Sequence, residues 1–106
     1  MDSLETLNAL LDMTKEAEEL SSDLEKSERL RLLVVEMKSK ASGERRKMRR
    51  QQIETRYELC MLGILEELNF GKTSWQNVIG LEARLGRIRE DIDRTIQEIK
   101  ASRLIM

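Results

Sequence analysis

The sequence predicts an all-α protein, built from long antiparallel helices that form a helical hairpin or a three-helix bundle with coiled-coil-like packing. Two features of the composition support this class. The 106 residues contain no proline, so no residue forces a helix to break. Aromatic residues make up 3% of the chain and charged residues 37%. An aliphatic core under a charged surface is typical of bundles and coiled coils.

A third observation is an apolar seam in the last third of the chain. Its members follow one another at alternating steps of three and four residues, which brings them to one side of a helix. The seam consists of Val78, Leu81, Leu85, Ile88, Ile92, Thr95, Ile99 and Ser102. A parallel homodimer through this seam would set Arg84 near Arg89 of its mate, and Ile96 makes the apolar face wider than a two-stranded seam. An antiparallel bundle is therefore favoured.

The first predicted helix covers residues 3–40. Asp2 or Ser3 can cap its free amides. Residues 41–43 end in a glycine and are the predicted break, because glycine readily adopts the left-handed conformation that terminates helices. No proline enforces this break, so one continuous helix over residues 3–68 is the alternative.

The second predicted helix covers residues 44–69 and the third covers residues 74–104. Thr73 and Gln76 have the spacing of a capping box at the start of the third helix. The connection between the two helices is short, which makes them antiparallel neighbours. On the outer face of the third helix, ion pairs at i,i+4 spacing are expected between Arg87 and Asp91, Arg89 and Asp93, Glu90 and Arg94, and Arg94 and Glu98.

The length leaves room for a single domain over residues 1–106, with one modest core. Residues before about Leu10 would overhang the bundle, and the apolar runs over 32–35 and 59–65 turn too far around a helix for one neighbour to cover them. We expect these surfaces to bind a protein partner, either as a homo-oligomer (dimer or higher) or with other helical subunits. The alternative is that two neighbours in the same chain suffice. The predicted interface residues are Leu4, Leu7, Leu10, Leu32, Leu33, Val35, Leu59, Met61, Leu62 and Leu65.

A basic segment is the second candidate for binding. Residues 38–56 contain 8 basic and 2 acidic residues, whereas residues 1–37 contain 4 basic and 10 acidic residues. The possible anion contacts are Arg45, Arg46, Lys47, Arg49 and Arg50. Nucleic acid or another polyanion is a less favoured partner, because no aromatic residue interleaves with these cations and the chain's pI is about 5.6. The alternative is a solvated helix start or an internal complement to the acidic first helix.

Catalysis has little to build on in this sequence. The chain has no histidine and one cysteine, Cys60, so the commonest general base and the commonest zinc ligand are missing. We therefore expect that the protein is not an enzyme and binds no metal ion or cofactor. A lone cysteine favours a reducing intracellular compartment, cytoplasmic or nuclear. The longest apolar runs fall far short of the ~20 residues of a membrane span, so no membrane association is expected.

Overall fold

The structure is a computed structural model that describes residues 3–21, 27–48, 55–69 and 78–105. These ranges form four α-helices and contain no strand, which confirms the all-α class. The helices are α1 (Ser3–Leu20), α2 (Ser27–Met48), α3 (Thr55–Asn69) and α4 (Val78–Ile105). Within the described ranges, no helix combines the length and apolarity needed to cross a membrane.

The first helix ends twenty residues earlier than predicted. Ser21 leaves the helix as a turn, and its backbone N–H still donates to the carbonyl of Ala17 at 2.9 Å. Its side-chain hydroxyl donates to the carbonyl of Glu18 at 2.7 Å, which satisfies a backbone group that the helix end leaves without a partner. The predicted helix over residues 3–40 is therefore wrong, and so is the continuous helix over residues 3–68.

The predicted break at residues 41–43 lies inside α2. Ala41 is fully buried in the core, and Gly43 continues the helix to Met48. One glycine in a helix interior costs only about 1 kcal/mol relative to alanine, so packing on either side of it can hold the helix together. The third predicted helix corresponds to α4, whereas the capping box at Thr73 and Gln76 lies outside the described residues.

The four helices alternate in direction along a bundle. Each packs against two others: α1 and α3 both lie between α2 and α4. Ion pairs show that neighbouring helices are antiparallel. Glu67, near the end of α3, binds Arg84 near the start of α4, and Arg56 at the start of α3 binds Glu98 near the end of α4. The predicted antiparallel pairing of the last two helices is therefore confirmed.

The predicted seam of α4 forms one wall of the core. Leu85, Ile88, Ile92, Thr95 and Ile99 are all buried. Of the other seam residues, Leu81 is partly buried and Ser102 is exposed. The side chain of Val78 lies outside the description. The threonine is compatible with the core because its hydroxyl donates to a carbonyl of its own helix at 2.7 Å. The step pattern thus predicts correctly which face of α4 is covered.

The predicted overhang at the N-terminus is wrong. Leu7 and Leu10 are 0% exposed and belong to the core of this chain. Because the chain reverses direction after Leu20, α1 is a separate helix that packs against both α2 and α4, and these two helices cover its apolar side. Glu16 of α1 accordingly binds Arg29 of α2 at 3.2 Å.

Two helix-interior glycines provide a test of this fold. A Cβ atom at Gly86 would meet nothing within 4 Å, and one at Gly63 would lie at an ordinary 3.5 Å from Asp91 Oδ2. Because alanine has the higher helix propensity, Gly86→Ala and Gly63→Ala should each raise the free energy of unfolding by roughly 0.5 to 1 kcal/mol. Urea denaturation followed by circular dichroism measures this change. A loss of stability in Gly86→Ala would contradict the open space beside that residue.

Candidate interaction face

Ion pairs between helices set the register of the bundle. Arg56 of α3 donates to Asp91 at 2.7 Å and to Glu98 at 2.6 Å, both on α4. Arg89 of α4 donates to Glu18 of α1 at 2.7 Å. Arg87 of α4 in turn binds Glu67 of α3. Contacts between helices thus replace three ion pairs that were predicted within α4, those of Arg87 with Asp91, Arg89 with Asp93 and Arg94 with Glu98.

A cluster of polar groups joins α1, α2 and α3 at one end of the bundle. The hydroxyl of Thr6 donates to Glu44 Oε1 at 3.5 Å. Tyr57 is 1% exposed, and its hydroxyl lies near the Thr6 hydroxyl and the Glu44 carboxylate. It forms no hydrogen bond of good geometry with any described residue. Burial raises the pKa of Tyr57 well above its ordinary value, and the nearby Glu44 carboxylate raises it further. The cluster shows that the end of α2 lies beside the start of α3.

The outward side of α2 carries a second step pattern. Leu32, Val35, Ser39, Ser42 and Arg46 follow at steps of three and four, so they share one face, turned away from the core residues of the same helix. Leu32 is 50% exposed and Val35 is 54% exposed. Ser39 and Arg46 are exposed and Ser42 is half-buried.

The outward side of α3 continues this surface. Leu59, Leu62 and Glu66 are again three and four residues apart. Leu59 is 52% exposed, Leu62 is half-buried and Glu66 is exposed. We call the outward residues of both helices the α2–α3 outer face; it consists of Leu32, Val35, Ser39, Ser42, Arg46, Leu59, Leu62 and Glu66.

The outward sides of α1 and α4 have a different character. On α1 the corresponding residues are all exposed and all polar: Glu5, Asn8, Asp12, Lys15 and Glu19. On α4 the exposed outward residues are polar or small: Ala83, Glu90, Arg94, Gln97 and Ala101. Among the side chains that the structure describes, the large aliphatic ones that are half-exposed thus lie on two adjacent helices, α2 and α3.

The structure divides the predicted interface residues into three groups. The first is exposed: Leu32, Val35 and Leu59. The second is partly buried: Leu4, Leu62 and Leu65. The third is buried inside this chain and cannot contact a partner in this fold: Leu7, Leu10, Leu33 and Met61. Sequence reasoning could not separate these groups, because it assumed too few neighbours for each helix. Ser39 and Ser42 were not among the predicted binding residues, and Arg46 was predicted as an anion contact only; the step pattern on α2 could have placed all three on one face.

The basic segment is only partly described. Lys47 lies 3.6 Å from Glu44, and Arg46 is exposed with no ion-pair partner among the described residues. Arg45 is half-buried, and its Nε has no hydrogen-bond acceptor within the described part of the chain. Arg49 and Arg50 lie outside the described residues. The cations at 45–47 project around the last turn of α2, where positive charge is favoured by the helix dipole.

The thiol of Cys60 is buried, and most charged groups beside the cavity between α3 and α4 are paired. Burial raises the pKa of the Cys60 thiol to about 12, so the thiolate nucleophile is absent at neutral pH. A cavity of about 190 Å³ between α3 and α4 is bordered by Gly63, Glu66, Glu67, Arg87 and Asp91. Glu67 binds Arg87 and Asp91 binds Arg56, whereas Glu66 is exposed at the edge of the cavity. No group of three potential metal ligands occurs among the described residues.

Comparison of the chain with protein-family models, curated proteins and solved structures found no match. Inferences about function therefore depend on the chain's own surface.

Proposed function

We propose that this protein is a non-enzymatic helical assembly or scaffold subunit that binds itself or another helical chain through the α2–α3 outer face. One observation carries the proposal. Leu32, Val35 and Leu59 are each about half-exposed on adjacent helices, whereas the outward side chains that the structure describes on α1 and α4 are polar or small. Exposed aliphatic residues that are grouped in this way are typical of interaction sites.

The energetic gain from covering this face is appreciable for a small bundle. Fully burying a Leu or Val side chain contributes about 1.5 to 3 kcal/mol, so covering the exposed half of each contributes about 1 kcal/mol. Three such side chains supply roughly 3 kcal/mol. That is a large share of the roughly 5 to 15 kcal/mol by which folded domains are stable.

The lack of histidine and the protonated, buried thiol of Cys60 support a binding role over catalysis. A single cysteine in the sequence also supports a reducing compartment, so we propose a cytoplasmic or nuclear location. A contact of residues 45–50 with nucleic acid or another polyanion is the second candidate, favoured by Arg46, which is exposed and has no ion-pair partner among the described residues.

Site-specific photo-crosslinking in cells that express the protein tests the proposal. A photoreactive residue in place of Leu59 should crosslink efficiently to a protein chain. The same residue in place of Gln97, which is exposed on the outward side of α4, is the matched control and should crosslink poorly. Equal, low crosslinking at both positions would overturn the proposed function.

A further inference from the structure

We infer that the α2–α3 outer face binds a second copy of this chain, around a two-fold axis parallel to the helices, with α2 of each copy antiparallel to α3 of the other. This inference rests on the proposed function and names its partner. Three observations support it: the heights of the residues along the bundle, the sizes of the side chains at matching heights, and the distribution of unpaired charge.

The heights follow from the polar cluster at the bundle end. Glu44 of α2 lies beside Tyr57 of α3, and the two helices are antiparallel with equal rise per residue. Counting back from Glu44 and forward from Tyr57, Ser42 is level with Leu59. Three residues further on, Ser39 is level with Leu62. A two-fold axis parallel to the helices preserves height, so the same residues are level between two copies.

Side-chain size is complementary at these heights. Leu59 of one copy would face Ser42 of the other, and Leu62 would face Ser39. A large residue opposite a small one lets helices approach closely and fill the space between them. Gly43 adjoins this region, and a Cβ atom there would meet only Arg46 Nη2, at 4.0 Å. Nothing in the described part of the chain fills the space beside Gly43, so a second copy can approach α2 closely there.

Charge is complementary as well. Four charged residues on or beside the α2–α3 outer face have no ion-pair partner among the described residues. Arg46 and Glu66 belong to the face, and Lys38 and Glu58 adjoin it on the same helices. By the same count of heights, Arg46 is about 4.5 Å along the bundle from the level of Glu58, and Lys38 is about 4.5 Å from the level of Glu66, which these long side chains can span. With α2 of one copy against α3 of the other, each of these two ion pairs forms twice per dimer. The face is therefore self-complementary, as a two-fold interface must be. Placing α2 against α2 would set cations against cations.

Two charge-reversed variants test the arrangement. Lys38→Glu with Arg46→Glu makes both helices of the face acidic, and Glu58→Lys with Glu66→Lys makes both basic. Each variant alone should dimerise roughly tenfold or more weakly than the wild type, because like charges then meet twice. An equimolar mixture should form a heterodimer at least as readily as the wild type. Light scattering on a sizing column gives the mass, and circular dichroism verifies that helicity is retained.

Specific outcomes would overturn the inference. A wild-type chain that stays at the monomer mass of 12.4 kDa over a hundredfold concentration range, on the order of one to a hundred micromolar, rules out the second copy. Variants that both dimerise alone, or that fail to pair when mixed, rule out the α2-to-α3 arrangement. The proposed function fails separately: it survives a monomeric result if the crosslinks at position 59 join a different chain, and it fails only if no chain crosslinks there.

Discussion

Replacing Ile92 by alanine should lower the free energy of unfolding by about 2 to 5 kcal/mol, the largest effect we expect of any single core truncation in α4. Ile92 is 0% exposed and lies in the middle of the α4 seam, between Ile88 and Ile99. Its removal leaves a cavity that rigid helices on either side can fill only in part. Urea denaturation at fixed protein concentration, followed by circular dichroism, measures the loss.

Ser102→Ala is the matched control, because this residue belongs to the same sequence pattern but is exposed in the structure. Its stability should stay within about 0.5 kcal/mol of the wild type. If the two substitutions lowered the free energy of unfolding equally, Ser102 would have to be packed like Ile92, which would contradict its exposure in the structure.

Alkaline pH should unfold the protein through two buried acids on α3. Burial raises the pKa of the Cys60 thiol from 9.0 to about 12, and it raises the pKa of Tyr57 as well. A group whose pKa is raised on folding stabilises the native state below its unfolded pKa, and this contribution is lost as pH rises towards the folded value. At about 1.4 kcal/mol for each pKa unit, the Cys60 contribution alone amounts to several kcal/mol.

Stability measured by urea denaturation should therefore be constant near neutral pH and fall between about pH 9 and pH 12. Cys60→Ala should show a shallower fall over the same range, since one of the two buried acids is gone. The native thiol should also react slowly with a thiol reagent at neutral pH and rapidly once the chain unfolds. An identical pH dependence in the wild type and in Cys60→Ala would show that Cys60 is not a buried acid.

The fold class was predictable because the spacing of apolar residues reports directly on which side of a helix is covered. Leu85, Ile88, Ile92 and Ile99 are buried as their steps require. The chain reversal after Leu20 was not predictable in this way. Neither glycine nor proline marks it, and its cap is a serine hydroxyl bonded to Glu18. Serine also occurs inside α2, so its presence alone does not identify a helix end.

The candidate face was predictable only in part, because exposure depends on how many neighbours each helix has. Once α1 and α2 are separate helices, each helix has two neighbours, and Leu33 and Met61 become core residues. The residues that remain outside are those opposite the core, such as Leu32 and Leu59. A search limited to apolar residues necessarily overlooked Ser39 and Ser42, whose small size matters for close packing.

Disulfide trapping between two differently substituted chains is the most direct test of the central claim, that the α2–α3 outer face meets the same face of a second copy. A Ser42→Cys chain is mixed with a Leu59→Cys chain under mild oxidation; Cys60 is buried and contributes little background. We predict rapid formation of a disulfide-linked dimer that contains one chain of each kind. A Gln97→Cys chain in place of Leu59→Cys should link slowly. Equal rates for the two mixtures would contradict the claim.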